Sequence, residues 1–520
     1  MTLRLTILLL TSVALLLVQP SLGAPVLIST NATLAEGDAM LYANSSVSVD
    51  GSNVVLTLSA STVNGTLVAY HFRDLAVTNG AKIVCNGQSS FDDIAARGVA
   101  IKVTNDLVVA WDAQINADGK GYGSYKGPAN GGYTNYSASH GGMAYNNLNP
   151  VYGSTINPVT LGSASYAAGG GAIKLDVGGN LVLDGILSVE GAISWKGSGA
   201  GGSVWITGGC TLTGAGTIRV LGGRYDNSQP YTVTGGGGRI SIDDTVIYDF
   251  DGDVVAGYVG YAGEAEAGTV YFPAIARADF HVKNGKTLIL GSHGDNTYGN
   301  LTVDDGGTII LRGPNHAAWS SNCVLRADNL TVVSGGTITA NKCGYSAGRG
   351  PAPGSKETRG GTHAGKGDSN TNAIYGSATE PVTHGSGAFL NGGGALKLIV
   401  NDTLTVNGVV SADADTSAYW SCGAGGSIWI DTTTLAGTNG TISANGGYST
   451  NRKSGGGGRI AVYFGVNTFT ELPAPGLYTN EQVLSSTVTV RGGYNTSADG
   501  FEDGSIYIDL IPLGSVLFVR

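Results

Sequence analysis

The chain predicts an all-β fold: a right-handed parallel β-helix, or β-solenoid, built from two tandem duplicated units. Three observations carry this expectation. The first is duplication. Gly-Gly-Gly-Ala-Ile-Lys-Leu at 169–175, Ala-Gly-Gly-Ser-Val-Trp-Ile at 200–206 and Gly-Gly-Gly-Gly-Arg-Ile at 235–240 recur, nearly unchanged, at 392–398, 424–430 and 455–460. Offsets of 223, 224 and 220 residues make this a repeated unit. The second is an inner period. Ile173 to Val204 is 31 residues and Val204 to Ile240 is 36, while Leu396, Ile428 and Ile460 are spaced by 32. The third is alternation: short runs such as 54–58, 82–84 and 99–103 alternate with period two, and none sustains a helical period. A period of about 30 with two or three short strands per turn suits coils stacked at ~4.8 Å. Crossover chirality makes the coil right-handed. A sandwich would favour hairpins between adjacent strands and gives no reason for the period.

Taken in order, the chain begins with one positive charge at Arg4, an apolar run over 5–18 and the small residues Ser21-Leu22-Gly23. That is the pattern of a secretory signal peptide over 1–23. The first unit is expected over 24–280, with a glycine- and tyrosine-rich insertion at 119–168. Pro273–Asp279 is the seam, too short and apolar for a flexible linker. The second unit follows over 281–520, with its glycine-rich insertion at 344–391. Capping of the column ends is expected from 25–44 and 511–520.

Composition narrows the class. Glycine is 85 of 520 residues and proline only 14, wrong for collagen or a proline-rich stalk. At 42% hydrophobic the chain is too apolar for glycine-rich disorder, so the glycines punctuate packed strands. A net charge of −10 with 28 thinly spread basic residues argues against nucleic acid, and no stretch after the signal is long enough to span a membrane. Five cysteines make no disulfide scaffold; Cys323 and Cys343 are the candidate pair, with Cys422 a competitor. Nine sequons, at Asn31, Asn44, Asn64, Asn135, Asn300, Asn329, Asn401, Asn439 and Asn495, suit a secreted glycoprotein.

The order of glycine boxes carries a resemblance. Gly-Tyr-Ser-Ala-Gly-Arg-Gly-Pro at 344–351, Ser-His-Gly-Gly at 139–142, Val-Tyr-Gly-Ser at 151–154 and Thr-Ile-Ser-Ala-Asn-Gly-Gly at 441–447 join the repeated strings above. Together they resemble a glycine-rich family of secreted and cell-surface β-helix proteins with a pectin-lyase-like architecture, over about 100–510. The resemblance implies fold and compartment, and carries over no catalytic residue.

Trp205 and Trp429 are the most informative side chains. Val204 and Ile206 fit an inward column, which turns Trp205 outward, and Trp429 faces out by the same parity. In-register stacking places Lys174 and Ser241 beside Trp205, and Lys397 and Ala461 beside Trp429. Such an indole either stacks on a sugar ring, pairs locally with its lysine, or is covered by the folded-back insertion. Tyr122, Tyr125, Tyr133 and Tyr136 of the first insertion extend the candidate binding surface. His140 and His363 align but have no shared carboxylate or second ligand nearby, so they read as hydrogen-bonded loop histidines. Asp249, Asp251 and Asp253 read as an acidic turn, their glycine sitting too early for a calcium loop. Arg239 and Arg459 read as donors to coil carbonyls at glycine corners.

The expected function is that of a secreted, non-enzymatic structural or adhesive β-solenoid of extracellular matrix or cell wall that binds glycan. Its partners would be an extracellular polysaccharide, a glycoprotein matrix or further copies of itself, with no cofactor and no metal. The rival is a polysaccharide lyase or glycoside hydrolase acting along the β-helix side, for which no catalytic residue can be assigned.

Overall fold

Alternating apolar residues give each strand one face to bury, and the chain buries these faces by stacking parallel strands. In the computed structural model the protein is nearly all β, with 41% of residues in strands and 2% in helices. The structure describes residues 25–60, 68–87, 98–132, 136–144, 149–225, 233–257, 265–316, 319–470, 472–479, 487–493 and 502–511. The expected signal peptide, Tyr133, Asn64, Asn135 and Asn495 lie outside them.

In the first half, strand Ala172–Val177 pairs in parallel with Val99–Val103 on one side and Ser203–Thr207 on the other. The ladder continues through Arg239–Ile242 to Thr269–Tyr271. Its register aligns Ile173 with Val204 and Ile240, and Leu175 with Ile206 and Ile242. All six are at most 1% exposed. In the second half Ala395–Val406, Ser427–Ala436, Arg459–Asn467 and Ser505–Leu510 pair the same way. There Leu396, Leu398, Ile428, Ile430, Ile460 and Val462 are fully buried. A second parallel sheet in each half carries the short strands between, among them Ile186–Ser188 and Thr217–Arg219 in one and Val409–Ser411 and Thr441–Ser443 in the other. The largest sheet curls, because the long strand Val68–Thr78 pairs with Val99–Val103 along its first part and Leu107–Val109 along its second. One apolar core runs from Ile28 to Ile508 through both halves.

Two backbones meet at the four-glycine corners. A Cβ on Gly237 would lie 1.9 Å from the Ala256 carbonyl oxygen, and one on Gly457 1.9 Å from that of Val490. No side chain fits there. The insertions have little regular secondary structure but fold back onto the strands, fastened at their bases by Gly121 N–H donating to Gly169 O and Gly344 N–H to Gly392 O. At the seam the short helix Ala274–Ala278 follows Pro273, and the sheets change there. Arg277 of this helix donates to Asp295 at 2.7 Å and stacks over Tyr271. The antiparallel strand Gly476–Thr479 pairs on the last strand, Ser505–Leu510; of the end segment expected to cap the column, 512–520 lie outside the described residues.

The candidate Cys323–Cys343 disulfide is not made. Both side chains are buried, and each thiol donates to a backbone carbonyl, Cys323 to Leu290 and Cys343 to Asn341. Burial pushes the Cys323 thiol far above its ordinary range. Among the described residues, no helix is long and apolar enough to cross a membrane.

Candidate functional site

The strand register sets Lys174 and Ser241 beside Trp205, and Lys397 and Ala461 beside Trp429. The lysine ammonium sits over the indole in each copy, 3.8 Å from the ring centroid for Lys174 and 3.3 Å for Lys397. The return segment of each insertion crosses the same outward face. Ser203 Oγ donates to Thr160 O at 2.6 Å, Ser241 Oγ to Ile156 O at 2.6 Å, and Ser427 Oγ to Thr383 O at 2.6 Å. Both tryptophans are half-buried, and each indole Nε1 is solvent-excluded without a hydrogen-bond partner. The return segments thus bond to the same outward strand faces that carry Trp205, Trp429, Lys174 and Lys397, the residues expected to bind.

A buried polar clip fastens each insertion, and the two histidines make the same bonds in both. His140 Nδ1 donates to Gly201 O at 2.8 Å, and its Nε2 accepts from the Thr160 hydroxyl at 2.8 Å. His363 makes the same bonds to Gly425 O and Thr383, at 2.8 and 2.9 Å. The imidazoles lie against Tyr152 and Tyr375, centroids 4.7 and 4.8 Å away. Arg239 and Arg459 donate through Nε to the carbonyls of those tyrosines at 2.8 and 3.1 Å. Burial, with the nearby guanidinium, pushes both histidines down to about 3, so they stay neutral. Both ring nitrogens of each imidazole are thus engaged in holding an insertion to the strands. Gly153 and Gly376 complete it at φ of +83° and +81°, where a Cβ would lie 2.3 Å from Thr160 Oγ1 and 2.4 Å from Thr383 Oγ1.

The exposed aromatic surface lies at the outer ends of the insertions. Tyr122, expected in the contact surface, is 5% exposed and packs with Leu161, Ala164 and Ala172. Tyr125 meets Tyr166 edge to face at 6.1 Å, and Tyr136 and Tyr166 are exposed. Next to them the turn Ile193-Ser194-Trp195-Lys196 presents Trp195, 61% exposed. Lys196 places its ammonium 5.0 Å from the Tyr166 ring and 4.9 Å from the Trp195 ring. In the second unit Phe389, the counterpart of Tyr166, stacks on Trp420 at 4.4 Å. Lys356 lies 5.3 and 4.9 Å from those two rings, and Tyr419 beside them is 70% exposed. Each unit thus brings two aromatic rings and one lysine together, although Trp195 aligns with Tyr419 and Lys196 with Trp420. The lysine comes from the turn in one unit and from the insertion in the other. The sequence reading missed Trp195, Lys196, Trp420 and Lys356. The available signal was an aromatic residue in a glycine- and serine-rich turn of both copies, at Trp195 and at Tyr419-Trp420.

In the second unit the outward face also holds Asp431, two residues after Trp429, with one carboxylate oxygen buried and unpartnered. Burial pushes its carboxyl up and the Lys397 ammonium down, each partly countered by the other's charge. Thr207 stands at the equivalent place in the first unit. Among the described residues, no group of three or more His, Cys, Asp and Glu side chains is placed to hold a metal ion. No protein-family model, curated protein or solved structure matches the chain.

Proposed function

We propose that this chain is a secreted, right-handed parallel β-solenoid of two tandem units, serving as a structural or adhesive glycan-binding protein of extracellular matrix or cell wall. The carrying observation is a cluster of two rings and a lysine in each unit, exposed at Tyr166 and Trp195 in the first and half-buried at Phe389 and Trp420 in the second, its lysine drawn from different positions. A pyranose ring stacks its C–H face on such rings, and the lysine donates to its hydroxyls. The parallel in-register ladders and the period near 30 support the solenoid reading. On that reading the two platforms lie about six strand spacings apart, roughly 29 Å, so one polysaccharide chain can engage both. The resemblance to glycine-rich β-helix proteins and the exposed sequon asparagines Asn31, Asn44, Asn300, Asn401 and Asn439 support a secreted glycoprotein.

A glycan array probed with the mature protein, with each retained glycan checked for shortened product, tests this function. Retention without product supports the binder. The rival lyase or hydrolase would place its acid–base pair at Asp431 and Lys397, whose shifted protonation is the observation in its favour. Product release lost in Asp431→Asn would replace the binder reading with the enzyme.

A further inference from the structure

The seam between the two halves holds a cavity of about 250 Å³ that none of the features above explains. It lies where a parallel ladder is interrupted. Strand Ile247–Phe250 pairs only with Thr211–Gly214, and Asp279–Val282 pairs only with Thr297–Val303. Tyr248 stands in register with Leu212, so a tyrosine takes a place in a leucine column. Its ring meets Phe272 at 5.3 Å and Phe280 at 6.2 Å, and Phe272 meets Phe280 at 4.8 Å. These rings form an aromatic wall.

Two features of the lining point to a ligand. The Tyr248 ring is partly buried against the core, and its hydroxyl makes no hydrogen bond among the described residues. The rim carries Asp249, Asp251, Asp253 and Asp279 against Lys283 and Lys286. Lys283 pairs with Asp251, and Lys286 lies 3.8 Å from Asp253. Asp249 and Asp279 have no ion pair or hydrogen bond from their side chains among the described residues. An aromatic wall, an unpartnered hydroxyl and two unpaired carboxylates together select a ring-shaped, hydroxylated cation. The volume is below the usual range of sites for larger ligands, about 300–1,000 Å³, and suits a single ring.

We propose that the seam cavity binds one protonated amino sugar of a glycan, its pyranose ring against Tyr248, Phe272 and Phe280 and its ammonium toward Asp249 and Asp279. The inference rests on the glycan-binding reading and adds a selective site to the two unselective platforms. The acidic turn is particular to the first copy: Gly465–Thr468 stands in its place in the second.

Calorimetry on the mature chain tests the site. The probes are a β-1,4-linked glucosamine tetramer, its fully N-acetylated form, a glucose tetramer and a lysine amide. The proposal expects the glucosamine tetramer to bind about tenfold tighter than either neutral tetramer. Asp249→Asn with Asp279→Asn should remove that preference at unchanged thermal stability, because both carboxylates are exposed. Tyr248→Phe should weaken glucosamine binding several-fold while leaving the fold intact. Equal affinity for the neutral tetramers, no binding of glucosamine, or an unchanged preference in the double variant overturns the proposal. Equal binding of lysine amide overturns it in favour of a protein side chain as ligand. If Trp195→Ala with Trp420→Ala abolishes neutral-glycan binding while the seam variants change nothing, only the seam inference fails. Failure of every neutral glycan to bind wild type instead counts against the platforms.

Discussion

Mild acid should destabilise this protein through its buried histidines. His140 and His363 are held at about 3 and His384 at about 4, from an ordinary value of 6.5. Burial is the first cause in each, and His384 is held by hydrogen bonding to Ser321 O. Between the two values the unfolded chain binds a proton at each site that the folded chain refuses. Stability is therefore fully present above about pH 6.5 and falls as pH drops toward about 4 and then 3. Going from about pH 7.5 to about pH 5 costs ~2 kcal/mol per histidine and ~6 kcal/mol for the three. That is a large part of the usual 5–15 kcal/mol or so of a folded domain. His293, raised first by its hydrogen bond to Glu266, acts above pH 6.5, where its contribution is lost as pH rises through its folded value. The carboxyls of Glu190, Asp413 and Asp431, raised by burial, act with the opposite sign to the three histidines. Urea midpoints across this window at constant temperature give the slope, and His140→Gln should remove about a third of it. A flat profile, or an unchanged slope in that variant, refutes the buried neutral clip.

Gly153→Ala places a Cβ 2.3 Å from Thr160 Oγ1 at positive φ, so it should destabilise by ~2–4 kcal/mol in urea titration, and Gly376→Ala should match it. Val204→Asp strands a charge in the apolar column and should abolish secretion; normal yield with wild-type thermal stability would contradict the strand register. Site mapping by mass spectrometry should find glycan on Asn300, Asn401 and Asn439. Asn300 and Asn329 are register neighbours whose side chains share a hydrogen bond, so two glycans on one molecule should be rare at that pair. A thiol-alkylating reagent should leave all five cysteines unmodified until the chain unfolds, because all are buried.

The inward and outward parity of the strands was legible in the sequence, because alternation and the copy-to-copy spacing state it twice. Val204 and Ile206 are buried, Trp205 faces the other way, and its neighbours in adjacent strands are Lys174 and Ser241. Cover of the outward tryptophans by a folded-back insertion was one of the readings left open by the sequence, and which segment supplies it was not legible. Their cover comes from Ile156 and Thr160, in an insertion without periodicity, and the contacts run through backbone carbonyls that any residue supplies. The exposed platforms were hidden for a related reason. Tyr166 and Trp195 are far apart in sequence and meet only through the fold-back, and the lysine of the second platform occupies an unmatched position. The acidic turn at 249–253 read as an isolated feature, because its lysine partners belong to the next unit.

The most direct test of the central claim is the affinity of the mature protein for its best array glycan, measured in wild type and in Trp195→Ala with Trp420→Ala. Stacking on an aromatic platform contributes about 1 kcal/mol per site, and one chain spanning both sites adds avidity. The account predicts a loss of about tenfold or more for long chains and a smaller loss for oligomers too short to bridge the two platforms, with the urea midpoint unchanged. Wild-type affinity in the double variant, at any chain length, would contradict it.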